Sequence, residues 1–217
     1  MDITAGAMRW RGFVKKLVIG MTGATGAIYG VRLLEVLADT KVETHLIVSK
    51  WARQTVEHET STNFEDLCGL ATEAYSSGDM GAKLSSGSFH TDGMVIVPCS
   101  MRTAAAIAHG NGDHLVHRAA DVILKERRKL VLVARETPFS DIHLENLLKL
   151  SRMGATILPP MPAFYHRPET LDDIVNQTVM RILDQFGISI DLVKRWDGKV
   201  GRKSRRVPTA KKNNSET

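Results

Sequence analysis

The sequence predicts an α/β chain: an open parallel sheet with helices on both faces, in a single domain. Three observations lead there. Short apolar runs recur at residues 16–21, 42–48, 93–98, 130–134 and 155–158, each the length of one buried strand. The stretches between them carry apolar residues at helical spacing. Strand and helix patterns therefore alternate, which builds βαβ units with right-handed crossovers.

In order, residues 1–13 read as a loose lead-in and 14–198 as the folded domain. Residues 16–21 make the first strand. Thr22-Gly23-Ala24-Thr25-Gly26 breaks it with two glycines and two hydroxyls, and from Ala27 a helical pattern runs through Ile28, Val31 and Leu34 or Leu37. Strand, glycine turn, helix is the layout that aims backbone N–H groups at a phosphate, which approaches most closely where no Cβ intervenes. The spacing Gly23-x-x-Gly26-x-x-x-Gly30 misses the strict dinucleotide fingerprint, and no Lys-Ser or Lys-Thr follows as a P-loop requires. A tight turn that binds nothing is the competing account.

Residues 42–48 are the second strand, ending in Ser49-Lys50. A helix follows over 51–59 with Ser49 as its cap, then a short helix over 63–70 capped by Asn63. Residues 71–88 are rich in Ser and Gly and read as loops with one edge strand. Residues 93–98 are a buried strand, 99–103 a turn, 104–109 a helix of small residues, and 114–127 another helix. The strand at 130–134 carries Arg135-Glu136-Thr137-Pro138 at its carboxyl end. A helix over 141–152 leads to the strand at 155–158, stopped by Pro159-Pro160. The helix over 171–186 places Leu171, Ile174, Val175, Val179, Ile182 and Phe186 on one face.

A chain of 217 residues, 43% apolar and 24% charged, suits one domain with a sizeable core. No apolar run approaches the ~20 residues of a membrane-spanning helix. Cys68 and Cys99 supply neither a disulfide framework nor C-x-x-C, so free thiols in the reducing cytoplasm are expected. The net charge of +5 is local. Residues 199–217 hold seven Lys/Arg and one Glu, whereas the remainder holds 22 basic and 23 acidic residues. That basic tail reads as disordered and solvated, with neither nucleic acid nor membrane as its partner.

The polar clusters follow strands. After the five predicted strands come Thr22 to Gly26, Ser49-Lys50, Ser100-Met101-Arg102-Thr103, Arg135-Glu136-Thr137 and Tyr165-His166-Arg167. Ligands of open parallel sheets bind outside the strands' carboxyl ends, and hydroxyls, cations and glycines are what phosphate oxygens require. Ser49 and Lys50 stand where an NAD reader places an acid, so a mononucleotide such as FMN fits better; Glu43 lies at the wrong end of its strand. The Tyr-x-x-x-Lys pair of short-chain dehydrogenases is absent, since Leu33, Asp79 and Glu169 follow the three tyrosines. Arg118 and Lys125 lie two turns apart on one helix face, with Asp121 as an i,i+4 partner for Lys125. Arg181 flanks the apolar face of the last helix. His109, His114 and His117 lack metal-ligand spacing, and no catalytic metal is expected.

Together these segments resemble the flavin prenyltransferases, the UbiX-like family, in the branch associated with hydroxyarylic acid decarboxylases. The resemblance rests on Thr22 to Ala27, Val48-Ser49-Lys50, Pro98 to Thr103, Arg118 to Val122 with Lys125 to Arg128, Arg135 to Pro138, and Pro162 to Pro168. It covers about residues 16–196. It implies a Rossmann-like subunit of a homo-oligomer, typically a dodecamer, with FMN near subunit contacts. The implied activity joins a dimethylallyl group from dimethylallyl phosphate to N5 and C6 of reduced FMN without a metal. The product serves a UbiD-like decarboxylase. Carried over by resemblance, Gly23, Ala24, Thr25, Ser49, Ser100, Met101, Arg102, Thr103 and Arg135 hold FMN. Lys125, Tyr165 and Arg181 hold the prenyl phosphate with Arg118 near them, Glu136 is the acid/base residue, and Trp196 walls the prenyl site. Thr25 departs from the Ser of many members but keeps the hydroxyl. Two other readings remain open: a flavin-dependent cysteine decarboxylase, which leaves the allyl-phosphate cations unexplained, and a non-catalytic FMN-carrying subunit of a decarboxylase.

Overall fold

The computed structural model describes residues 15–198. The expected lead-in at 1–13 and the basic tail at 199–217 lie outside the described residues. Six strands form one sheet: β1 (Lys16–Met21), β2 (Glu43–Val48), β3 (Glu73–Ser76), β4 (Gly93–Cys99), β5 (Lys129–Ala134) and β6 (Thr156–Ile157). Their spatial order is β3-β2-β1-β4-β5-β6, and every pairing is parallel. Six α-helices lie between them, α1 (Ala27–Ala38), α2 (Lys50–Glu59), α3 (Phe64–Gly69), α4 (Met101–Ala108), α5 (Leu115–Lys125) and α6 (Asp141–Arg152), and α7 (Leu171–Gln185) follows the last strand.

The apolar runs are continuous because both sheet faces are covered. Along β1, Leu17, Ile19 and Met21 join the core under α1, α2 and α7, while Val18 joins the core under α4, α5 and α6. β4 and β5 split the same way: Val95, Val97, Val131 and Val133 face the first core, and Met94, Ile96, Leu130 and Leu132 the second. This is the two-residue period of a strand expressed as two separate cores. The strand order reverses between β1 and β4, which opens a crevice at their carboxyl ends. Thr22 bridges that point, its buried hydroxyl donating to the Pro98 carbonyl (2.9 Å) and accepting from the Ser100 N–H (2.9 Å).

The glycines of the first turn each have their own steric reason. Gly26 holds φ of 100°, the left-handed region. A Cβ on Gly23 would stand 2.4 Å from the Trp51 Cβ, and one on Gly30 would stand 2.7 Å from the Val97 carbonyl oxygen. Close packing of α2 on the turn and of α1 on the sheet therefore requires them.

Ser49 and Asn63 cap α2 and α3 as expected, accepting from the Ala52 N–H (3.1 Å) and the Asp66 N–H (2.8 Å). Three expectations change. The segment 99–103 is not all turn: Ser100 caps α4, accepting from the Thr103 N–H, so Met101 to Thr103 form its first turn. The Asp121 carboxylate pairs with Arg118 (2.6 Å) rather than Lys125, because three residues bring them onto one side of α5 as well as four do, and Lys125 pairs with Glu126. Leu171 is 81% exposed: as the first residue of α7 it overhangs the end of the core that Val175, Val179 and Ile182 fill.

Candidate active site

Three strand ends converge on one cavity. Thr22 and Gly23 after β1, Ser49 and Lys50 after β2, and Ser100, Arg102 and Thr103 after β4 line a space of about 480 Å³. Asp113, His114 and His117, at the start of α5, close its remaining side. The N-termini of α2, α4 and α5 thus face one volume, and each contributes partial positive charge. Met101 is buried, and Ala24 and Thr25 continue the turn after Gly23; none of the three is among the residues lining this cavity.

The N-terminus of α1 is used differently from expectation. The Glu59 carboxylate, the last residue of α2, accepts from the Gly26 N–H (2.8 Å) and the Ala27 N–H (2.9 Å). These two donors are satisfied within the chain, so an anion in this crevice is served by α2, α4 and α5 instead. Burial opposes the charge on Glu59. The Thr25 hydroxyl, the Ala27 and Gly26 N–H groups and the charge of Arg135 outweigh it and hold the carboxyl below its ordinary range. Glu59 is a site residue that sequence reasoning missed. Its only local mark is the end of an amphipathic helix, and nothing in the spacing indicates that it folds back onto the glycine turn.

Arg135 and Glu136 stand at the carboxyl end of β5, Arg135 exposed and Glu136 half-buried. The Glu136 Oε1 accepts from the Thr137 N–H (3.0 Å), which leaves its other oxygen unused by that bond. Cys99, the last residue of β4, is pushed up to about 12 by burial, so it is no thiolate nucleophile.

The remaining predicted residues fall into two further groups. Tyr165 packs edge-on against Trp196, ring centroids 5.7 Å apart. Arg181 joins them through Asp184, which accepts from both Arg181 (2.9 Å) and Arg195 (2.9 Å), the residue before Trp196. Arg181 also lines a cavity of about 350 Å³ with Leu158, Pro159 and Met161, beside the edge strand β6. The second group is Arg118 and Lys125, both facing the segment before β4. Arg118 donates to the Ser85 carbonyl (3.2 Å), and Lys125 lies beside Gly87. Lys125 is the last residue of α5, about 15 Å along the helix from the cavity that α5 opens on. One subunit therefore assembles the switch-point cavity, but does not bring Arg118, Lys125, Tyr165, Arg181 and Trp196 into its wall.

The cavity wall fits the phosphate end of a flavin. It offers hydroxyl protons from Ser49 and Thr103, cations from Lys50 and Arg102, and the bare backbone of Gly23, while the Thr22 and Ser100 hydroxyls donate to the Pro98 carbonyl and the Thr103 hydroxyl. It also holds orphaned donors and acceptors: Nδ1 of His114 and both ring nitrogens of His117 are buried without a hydrogen-bond partner. Such atoms cost about 1–3 kcal/mol each unless a partner is supplied. Among the described residues, no group of three or more His, Cys, Asp or Glu has metal-binding geometry. No described helix is long and apolar enough to cross a membrane.

The histidine pair makes acid stability readable. Burial first, then the neighbouring His114 ring, pushes His117 from 6.5 down to about 4, with Arg102 adding to the shift and Asp113 opposing it. Burial lowers His114 in the same direction. Below pH 6.5 the unfolded chain takes up a proton that the fold refuses until about pH 4. Stability is thus fully present above 6.5 and falls toward 4, by at most about 3 kcal/mol for this group. Denaturant titrations of flavin-free protein should show that slope, and His117→Phe should flatten it; an unchanged slope assigns the effect to other groups.

The family model described as Flavoprotein matches residues 13–183. A probable UbiX-like flavin prenyltransferase of Bacillus subtilis (strain 168) is 58% identical over 183 residues, covering 84% of this chain and 90% of that protein. The crystal structure of a dodecameric FMN-dependent UbiX-like decarboxylase from Escherichia coli O157:H7 superposes with a TM-score of 0.83 at 58% identity, covering 84% of this chain and all of that one. The crystal structure of AnUbiX (PadA1) in complex with FMN and dimethylallyl pyrophosphate superposes with a TM-score of 0.85 at 49% identity, covering 87% and 100%. With its parallel sheet, its switch-point cavity and these likenesses, the chain belongs to the UbiX-like flavin prenyltransferases.

Proposed function

We propose that this protein transfers a dimethylallyl group from dimethylallyl phosphate to N5 and C6 of reduced FMN, and that the prenylated flavin passes to a UbiD-like decarboxylase. The observation that carries the reading is the convergence of Thr22, Gly23, Ser49, Ser100 and Arg102 on one electropositive cavity at the switch point. When bound there, the reduced flavin supplies the nucleophilic nitrogen and carbon. In this reading Gly23, Ala24, Thr25, Ser49, Ser100, Met101, Arg102, Thr103 and Arg135 hold it.

The donor's allylic C–O bond breaks with its electron pair leaving on phosphate. Negative charge grows on that phosphate and positive charge on the prenyl group. Lys125, Arg181 and Arg118 stabilise the first, with Tyr165 as a hydroxyl donor, and the Trp196 face stabilises the second. Protons balance the two new bonds. The one released at N5 leaves with the phosphate, and the one released at C6 is matched by a proton taken up on the middle carbon of the donor's allyl group as its double bond opens. Glu136 serves this exchange, either protonating the departing phosphate or accepting the proton released at C6. Thr25 and Glu59 form a second proton path beside the glycine turn, since the Glu59 carboxylate is bonded to that turn and to the Thr25 hydroxyl.

Donor and flavin residues meet between protomers. Lys125 lies at the far end of α5 from the cavity, Arg181 lies beside the β6 edge, and Tyr165 and Trp196 pack on each other. Large apolar side chains, among them Trp51, Leu148 and Phe164, stay exposed on the isolated subunit. A homo-oligomer, in this reading a dodecamer, covers them and completes the site. The cytoplasm suits the two free cysteines. Incubating FMN-loaded protein with a flavin reductant and dimethylallyl phosphate should yield a flavin heavier by one prenyl unit. Folded, FMN-loaded protein that never yields that mass overturns the reading.

A further inference from the structure

Resting on the flavin reading above, we infer that His114 and His117 are ligands of the flavin's phosphate, donating ring N–H groups into the switch-point cavity. His114 is the N-cap of α5, with extended backbone and no side-chain cap bond, so its ring is not spent on the helix. Ser49 and Ser100, the N-caps of the two other helices on this cavity, do bond their own helices. The His114 ring instead stacks on that of His117, centroids 3.7 Å apart and planes 31° apart. His117 is only 4% exposed, yet neither of its ring nitrogens has a partner, and the same holds for Nδ1 of His114.

A packing role does not account for this arrangement. Two apolar rings would stack equally well without three orphaned nitrogens, and most buried polar groups are bonded. Ser85, Thr91 and His166 also hold unpartnered atoms, but of these residues only His114 and His117 line this cavity. The wall around them selects an anion. Three helix N-termini, of helices eight to eleven residues long, meet here with Arg102 and Lys50, against the single carboxylate of Asp113. A neutral imidazole has one N–H to give. The pair therefore offers two donors at fixed spacing, and a phosphate monoester has three oxygens to receive them. An isoalloxazine ring brings no charge to answer Arg102, Lys50 and three helix N-termini, so the phosphate is the end that fits these groups.

The test compares FMN with riboflavin, which lacks only the phosphate, by calorimetric titration of the full chain. In wild type, FMN should bind more tightly than riboflavin. In His117→Phe, which keeps the stacked ring and removes both nitrogens, FMN affinity should fall about 10- to 100-fold while riboflavin affinity holds. His117→Gln, with an amide donor, should recover part of the loss. In wild type labelled with ¹⁵N at the imidazoles, FMN but not riboflavin should shift the His117 ring signals; this readout needs no variant to fold. Equal weakening of both ligands, or unmoved imidazole signals with FMN bound, overturns the assignment while leaving the flavin reading intact. Wild-type protein that binds neither ligand overturns both.

Discussion

Glu136→Gln should lower prenyl transfer by about 10²–10⁴-fold while FMN affinity stays at the wild-type value. The variant is nearly isosteric. The Glu136 Oε1 accepts from the Thr137 N–H, and a glutamine carbonyl oxygen keeps that bond, so the turn after β5 retains its shape. What is lost is a group that takes up and returns a proton. The reaction needs one proton removed from the flavin carbon that forms the new bond, and a phosphate that leaves more readily when protonated. An amide does neither at neutral pH. Single-turnover measurement of flavin mass, beside a flavin titration, separates the two quantities. Wild-type prenyl transfer in this variant would remove Glu136 from the chemistry. A variant that makes no prenylated flavin yet supports a partner decarboxylase as well as wild type does would favour a non-catalytic flavin carrier, and equal loss of binding would make Glu136 a structural residue of the turn.

The second large effect concerns assembly. Lys125→Ala and Arg181→Ala proteins should each lose about 10²–10³-fold in activity, since each removes a cation from the departing phosphate. Co-assembled in equal amounts, they should regain about a quarter of wild-type activity if each site takes Lys125 and Arg181 from different protomers, because a quarter of random pairings are intact. If one protomer supplied both, every site would lack one cation and no activity would return. The distance along α5 and the placement of Arg181 beside β6 favour recovery. Neither substitution threatens the fold. Lys125 is half-exposed and bonded only to its neighbour Glu126. Asp184, the partner of Arg181, keeps its two bonds from Arg195.

Much of the fold was legible along the chain. The runs at 16–21, 93–98 and 130–134 became β1, β4 and β5 within one residue at either end, and Ser49 and Asn63 became caps. The misses share one cause. Met101 to Thr103 were read as turn because small and polar residues look alike at a helix start and in a loop, and only the Ser100 hydroxyl on the Thr103 N–H distinguishes them. Asp121 had two partners within helical reach, and the choice of Arg118 is made in space. Glu59 carried no signal, because its partners lie 32 and 33 residues away.

Residue order alone settled the parallel sheet, its two-sided burial and the polar chemistry at each strand's end, because strand period, helix period and capping act over a few neighbouring residues. The folded chain decided which of those ends meet. Strand order places β1 beside β4, so Thr22, Ser49 and Ser100 share one cavity, the histidine pair of α5 faces it, and Lys125 is carried to the opposite rim. Those outcomes depend on contacts between segments tens of residues apart, whose energies come from burying the two cores and not from any local pattern.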